Sequence, residues 1–356
     1  MAGCLPPIKP VTPPPSAFAT DTSAPGDAGG RGLLKKSLAW GLGLGLLAWL
    51  LSRTPFGQVA EAFSRPGWET WGLTLAGLLI SYALRAARLQ VVLNLEGHRQ
   101  APHRWLGVRT DALRVILMHN AAINLLPMRA GELTFPLLAS RELGMPVTRA
   151  VACLLWMRVQ DVVILVVLGL LIWPGLPVWW RLAGFGAMYL AWLTLGRVSR
   201  TWFARQKDQV PAGKLAGLMI KLRQALLEPE HHHPLAWLAT LANWSLKLAA
   251  GACLLSAVST APWLTSWAGA LGGELAAIVP LQGPAGFGTY EAGVWAGMAA
   301  HLPAQSSALS HAVSAALALH VCFLLCAVLA GALASVLSWA NKPRVRQGTP
   351  SARHPD

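Results

Sequence analysis

The chain has 356 residues, of which 54% are hydrophobic and only 12% charged, a composition unlike that of a soluble surface. It reads as an integral membrane protein, and its longest polar stretch, 197–234, holds too few large apolar side chains to bury a catalytic core. The formal charge of +14, from 29 Lys plus Arg against 15 Asp plus Glu, would suggest nucleic acid as a partner in a soluble chain, so the placement of the bases decides what it means.

Taken in chain order, residues 1–32 form a Pro-rich segment that cannot bury enough surface to order itself, and they are expected to be a disordered cytoplasmic tail. Lys35-Lys36 precedes an apolar run, but Ser52-Arg53-Thr54-Pro55 lacks a small-residue cleavage pattern, so an uncleaved first span is expected. A bilayer core about 30 Å thick needs roughly 20 apolar residues per helix. Windows of that size fall at 33–52, 70–93, 149–173, 179–197, 235–258 and 308–338. Two further apolar regions are interrupted: 112–140 by Pro127, Gly131 and Pro136, and 263–301 by Pro280, Gly283, Pro284, Gly286 and Gly288. Non-helical backbone at membrane depth survives only inside protein or beside a polar cavity. The expected fold is therefore an all-α polytopic helix bundle over 33–340 with two broken, re-entrant hairpins, arranged as inverted repeats, and a basic cytoplasmic tail at 341–356.

The lysines and arginines set the expected orientation. With a cytoplasmic N-terminus and a re-entrant 112–140, the bases of the tail, of the loop from Arg85 to Asp111, of the first hairpin, of the 197–223 linker and of the C-terminus share one face. That places 23 of 29 on the cytoplasmic side, as the positive-inside rule requires. Most of the charge is then a collar facing anionic headgroups, and nucleic acid is excluded as a partner.

Charges at membrane depth cost about 2.5–3.5 kcal/mol each on insertion scales. Arg114, Arg158, Lys247, Glu132, Asp161, Glu274 and Glu291 are such groups. Asn120 and Asn124 lie four apart on one helical face before Pro127 ends that helix, and Gly131 permits a tight turn. Arg129 and Glu132, three apart, are placed to pair, with Glu132 suited to the first turn of the next half-helix. Arg158 and Asp161 are also three apart, and are read either as an internal salt bridge or as substrate or gating groups. Lys247 has no acid within its own helix turn, so an interior acid such as Glu274 is expected to face it. The Gly-rich turn before Thr289, with Gly286 and Gly288, either offers backbone N–H groups to an anion or is a plain close-packed turn. His231, His232 and His233 read as a solvated loop, and Cys322 and Cys326 as small packing residues. No metal or other cofactor is expected.

The run Asn120…Asn124-Leu-Leu-Pro127-Met-Arg129-Ala-Gly131-Glu132 is followed by Arg158-Val-Gln-Asp161 and by Pro280-Leu-Gln-Gly-Pro284-Ala-Gly286-Phe-Gly288-Thr-Tyr-Glu291. In this order the three resemble the membrane region of bacterial lysylphosphatidylglycerol synthases, which also occurs alone in flippase-like inner-membrane proteins. The likeness covers about residues 33 to 340, and Arg85 and Arg88 are similar to the family's basic helix end. Met157 departs from the pattern, where an acidic residue commonly precedes the arginine.

The resemblance implies a multi-pass protein of the bacterial inner membrane that moves a phospholipid or modified lipid between leaflets, and the Lys and Arg distribution implies that both termini are cytoplasmic. Synthase activity is not expected to carry over, since it belongs to a separate cytosolic domain. On this reading Asn120, Asn124, Arg129, Glu132, Arg158, Asp161, Gly286, Gly288 and Glu291 bind the headgroup, and phospholipids are the partners. Another reading is a non-transporting accessory or scaffold subunit of a lipid-modifying or envelope enzyme. A membrane-embedded transferase using His119 and Glu132 is the third.

Overall fold

The computed structural model describes residues 54–93, 104–105, 107–126, 131–205, 233–278 and 284–340, with isolated helical positions between 41 and 52; 192, 195–205 and 340 are described in backbone only. The described residues form an all-α bundle with one small β-hairpin. A short helix α1 (Phe56–Ser64) leads into α2 (Trp68–Val92), and the two-residue strands β1 (Arg104–Trp105) and β2 (Val108–Arg109) pair antiparallel about Gly107. There follow α3 (Thr110–Leu125), α4 (Thr134–Leu143), α5 (Val147–Ile172), α6 (Val178–Arg205), α7 (Pro234–Ser259), α8 (Trp263–Ala276), α9 (Thr289–Ala299), α10 (Ser307–Ser310) and α11 (Ala312–Ala340). Among the described residues α2, α5, α7 and α11 are long and apolar enough to cross a membrane.

Local chemistry sets the helix limits. Pro55, Pro146 and Pro262 sit just before α1, α5 and α8, and Pro234 occupies the first turn of α7, where a missing N–H costs nothing. His233 Nδ1 accepts the Leu235 N–H at 3.2 Å, so this histidine of the expected solvated loop caps α7. Helix α4 stops at Gly144, which takes the left-handed conformation (φ 64°). Helices apolar on every side belong in a core or a membrane.

The central pair is α2 and α7, antiparallel. Thr74 Oγ1 reaches the Ala250 carbonyl (3.4 Å), Arg85 Nε reaches Asn243 (3.1 Å), and Arg88 Nη1 reaches Thr240 (3.1 Å). Helix α5 runs parallel to α7, with Trp156 edge-on to Trp237 and Asp161 bonded to Trp244. Antiparallel to α7 runs α11, with Leu319 against Gly251 and the Lys247 ammonium 4.9 Å from the Phe323 ring.

Both interrupted regions are helical hairpins. In the first, Arg114 pairs with Glu142 at the open end (2.9 Å), and His119 meets Thr134 at the tip (3.2 Å). In the second, α8 and α9 approach so closely that a Cβ on Gly272 would strike the Gly293 backbone, and one on Gly297 the Ala268 carbonyl. The first hairpin enters beside the start of α5 and the second beside the end of α7. Because α5 and α7 are parallel, the two hairpins enter from opposite faces. Exchanging α2, α3, α4 and α5 for α7, α8, α9 and α11 preserves the packing relations: α3 lies on α11 as α8 lies on α5, and α4 on α5 as α9 on α11. This is the arrangement of inverted repeats.

The spans expected at 70–93, 149–173, 179–197 and 235–258 are each one helix, and that at 308–338 begins as the separate turn α10 before α11. Helix α1 and the β-hairpin were not foreseen. The expected first span and both tails fall mostly or wholly outside the described residues. Gly297→Leu is expected to force α9 off α8 and cost about 1–3 kcal/mol of stability by overpacking. A lowered midpoint of thermal unfolding in detergent checks it; an unchanged midpoint rules out the close packing.

Candidate functional site

The expected cytoplasmic position of Arg85 and Arg88 is corrected by the structure. Both project from the last turns of α2 into the bundle, and Arg88 is 5% exposed. They join a chain of polar side chains drawn from α2, α3, α5 and α7. Asp161 on α5 is its hub. It accepts from Arg88 Nη1 at 2.6 Å, from Trp244 Nε1 at 2.9 Å and from Arg158 Nη1 at 3.3 Å. Arg158 Nη2 also donates to Glu132 at 2.6 Å, which ties α5 to the tip of the first hairpin. The salt bridge between Arg158 and Asp161 is thus present, though Arg88 is the closer partner of the acid. With Met157 buried at 3% exposure beside it, Arg158 finds its acids at Glu132 and Asp161.

Arg85 is bonded differently. Its Nε donates to Asn243 Oδ1 (3.1 Å) and its Nη1 to Asn120 Oδ1 (2.9 Å), while its guanidinium lies 5.4 Å from the centre of the Trp244 ring. An arginine only donates, so each asparagine turns its oxygen inward and holds its NH2 beside the same guanidinium. Both NH2 groups are buried without an acceptor. Asn124, expected to share this polar face, is half-buried and donates to the Asn120 carbonyl of its own helix at 2.8 Å.

The partner inferred for Lys247 is the observed one: its Nζ is 2.6 Å from Glu274 Oε2, with the Trp244 and Phe323 rings 5.2 and 4.9 Å away. Among the described residues the interior cluster therefore sets four cations, Arg85, Arg88, Arg158 and Lys247, against three carboxylates, Glu132, Asp161 and Glu274. Bonding them to one another offsets part of the cost of burial, and one positive charge is left over.

The second tip departs from the expected anion cradle. Gly286 and Gly288 have φ of 87° and 84°, and Ala285 joins them at 51°, a conformation that L side chains rarely adopt. The Gly288 N–H, expected to be open to a headgroup, donates to Glu291 Oε2 at 2.7 Å, so the helix caps itself. Glu291 is fully buried, and its other oxygen lies 2.6 Å from His320 Nδ1. Arg129 and Gly283 lie outside the described residues. Asn243, Trp244 and His320 belong to no motif in the sequence. A lone histidine inside a 29-residue apolar helix, and the Asn243–Lys247 spacing of one helical turn, were the available signals.

No curated protein and no solved structure matches the chain. A family model does, over residues 37–331, and it is described as the lysylphosphatidylglycerol synthase TM region. The match takes in both hairpins, the interior cluster and α2 to α9 whole. It agrees with an all-α multi-pass membrane protein that has a lipid-related role, and the chain belongs to the lysylphosphatidylglycerol synthase TM region family.

Proposed function

We propose that the protein moves phospholipids between leaflets, with the interior cluster as the headgroup site and no enzymatic chemistry of its own. The observation that supports this reading is the surplus cation. Arg85, with the two acceptor-less amides of Asn120 and Asn243 around it, is a set of donors whose natural complement is a phosphate oxygen. Arg158 and Glu132, at 32% and 21% side-chain exposure, are more open than Arg88, Asp161, Lys247 and Glu274, and an entering headgroup meets them before these four. Asp161 and Arg88 hold the site in shape from behind. Acyl chains stay in lipid while the headgroup crosses between the two hairpin tips, as a midplane site flanked by inverted repeats allows. Phospholipids are then the partners, and the positive-inside distribution of the sequence supports cytoplasmic termini in a bacterial inner membrane.

Arg85→Gln removes the charge and, with its amide nitrogen where the arginine Nε was, keeps the contact to Asn243 but not that to Asn120. Losing one charged hydrogen-bonding contact to the phosphate, worth about 1.5–3 kcal/mol, predicts roughly a ten- to hundredfold slower exchange. The measurement is dithionite quenching of fluorescent phosphatidylglycerol in proteoliposomes. An unchanged rate removes Arg85 from the site. No exchange by the wild type favours the accessory subunit instead.

A further inference from the structure

The tip of the second hairpin is closed by two titratable side chains that the headgroup site does not use. His320 of α11 stands between them and the backbone: Nε2 lies 2.9 Å from the Ala285 carbonyl oxygen, and Nδ1 lies 2.6 Å from Glu291 Oε1. Phe287 stacks on the ring at 4.3 Å, and Tyr290 lies tilted against it at 5.1 Å. Both members are buried, Glu291 at 0% and His320 at 5% exposure.

Hydrogen-bond chemistry fixes how many protons this arrangement holds. A carbonyl only accepts, so His320 Nε2 carries a hydrogen. The Gly288 N–H only donates, so Glu291 Oε2 carries none. A 2.6 Å approach of Nδ1 to Oε1 needs one hydrogen between them, wherever along that line it resides. The pair therefore holds two hydrogens and no net charge. Losing the shared one sets a ring lone pair against a carboxylate and leaves a buried negative charge; gaining another sets two donors face to face. Either change breaks the Nδ1–Oε1 bond, through which His320 stays on the Ala285 carbonyl and Glu291 on the Gly288 N–H, the two contacts made to these positive-φ residues.

The surroundings offer this proton few alternatives. From α9 the pair is faced by the Tyr290 hydroxyl, which is buried without a partner. From α8 comes Glu274, whose carboxylate is held by Lys247 of α7. Cys322 lies on α11 itself. The titratable side chains of α3, which packs along α11 and the tip, are engaged elsewhere: Asp111 with Arg109, Arg114 with Glu142 and His119 with Thr134.

We propose that Glu291 and His320 form a proton-binding site that couples lipid movement to a proton gradient, the second tip opening only when the pair exchanges its shared proton with water. This rests on the transport reading above. In each cycle the N–H or O–H bond of the shared hydrogen breaks as its proton passes to water on the aqueous face toward which the tip opens, and the bond re-forms with a proton taken from water on the other face; no other covalent bond changes. The opened tip frees the Gly288 N–H and the Ala285 carbonyl together.

The test uses the full chain in proteoliposomes with fluorescent phosphatidylglycerol, whose phosphodiester stays ionised, at collapsed membrane potential and an imposed gradient of one pH unit. With one proton per lipid the steady-state leaflet ratio shifts by up to about tenfold. Glu291→Gln keeps the bonds to Gly288 and His320 through its amide but has no proton to exchange, and its ratio is expected to stay near unity at an unchanged unfolding midpoint. A wild type that exchanges lipid yet ignores the gradient overturns the coupling and leaves the transport reading intact, as does a Glu291→Gln variant that still follows the gradient. If the wild type exchanges no lipid, the transport reading fails, and the proton site is decided by 15N NMR of His320. A hydrogen shared between Nδ1 and Glu291 supports the site, and an unprotonated Nδ1 beside an ionised Glu291 refutes it.

Discussion

Asp161→Ala is expected to lower stability more than any other single change in the interior cluster. The carboxylate takes three donors, from Arg88, Trp244 and Arg158, and removing it leaves the Arg88 guanidinium with only the Thr240 hydroxyl, at 3.1 Å. Its Nε already lacks a partner. Breaking a buried pair by deleting one member costs about 3–5 kcal/mol, because the uncompensated charge stays where solvation is poor. The loss reaches three helices, since α2, α5 and α7 meet at this one side chain. The double variant Arg88→Met, Asp161→Leu removes both charges and fills the space with apolar atoms, which is often neutral for a buried pair. It should recover most of the unfolding midpoint without recovering lipid exchange, if Arg158 needs Asp161 to stay oriented toward Glu132. Thermal unfolding in detergent and the fluorescent-lipid assay read the two effects separately. A wild-type midpoint for Asp161→Ala means that the hub does not hold the bundle. Full exchange by the double variant removes Asp161 and Arg88 from the positioning of the site.

The long spans were legible because a run of some twenty apolar residues has few other uses, and the hairpins because Pro and Gly clusters interrupt apolar sequence at Pro127–Gly131 and Pro280–Gly288. Charge pairs close in sequence, Arg158 with Asp161, were legible from helical periodicity; Lys247 with Glu274 was reached because Lys247 has no acid within its own helix turn and so calls for an interior acid elsewhere. Periodicity fails where partners come from distant helices. Arg88 finds Asp161 73 residues on, and His320 finds Glu291 across the α9–α11 packing. Arg85 and Arg88 misled for a physical reason as well. Near the end of an apolar run a base ordinarily reaches the interface, and only the packing of α3 and α7 against that end of α2 places these two inside. The Gly-rich tip was recognised, but the occupant of its N–H group was not: Glu291, three residues after Gly288, caps its own helix.

Gly131 combines both kinds of information. The sequence marks it as a turn residue, but it lacks the positive φ seen at Gly286 and Gly288, so freedom of the backbone is not why glycine is needed. A Cβ there would run into the backbone of Ala122 and Ile123, which are the last turns of α3 and cannot swing aside as a side chain can. Gly131→Ala is therefore expected to push the tip away from α3, costing about 1–3 kcal/mol. Glu132, the next residue, moves with the backbone and draws off its 2.6 Å contact with Arg158. Lipid exchange should fall along with the unfolding midpoint. Gly186 serves as the control: it lies within α6, with nothing within 4 Å of an added Cβ, so Gly186→Ala should leave exchange unchanged and raise stability by up to about 1 kcal/mol through helix propensity alone. If Gly131→Ala matches this control in both measurements, the hairpin tip does not depend on the close approach of residues 122 and 131, and Glu132 is held by Arg158 rather than by the turn.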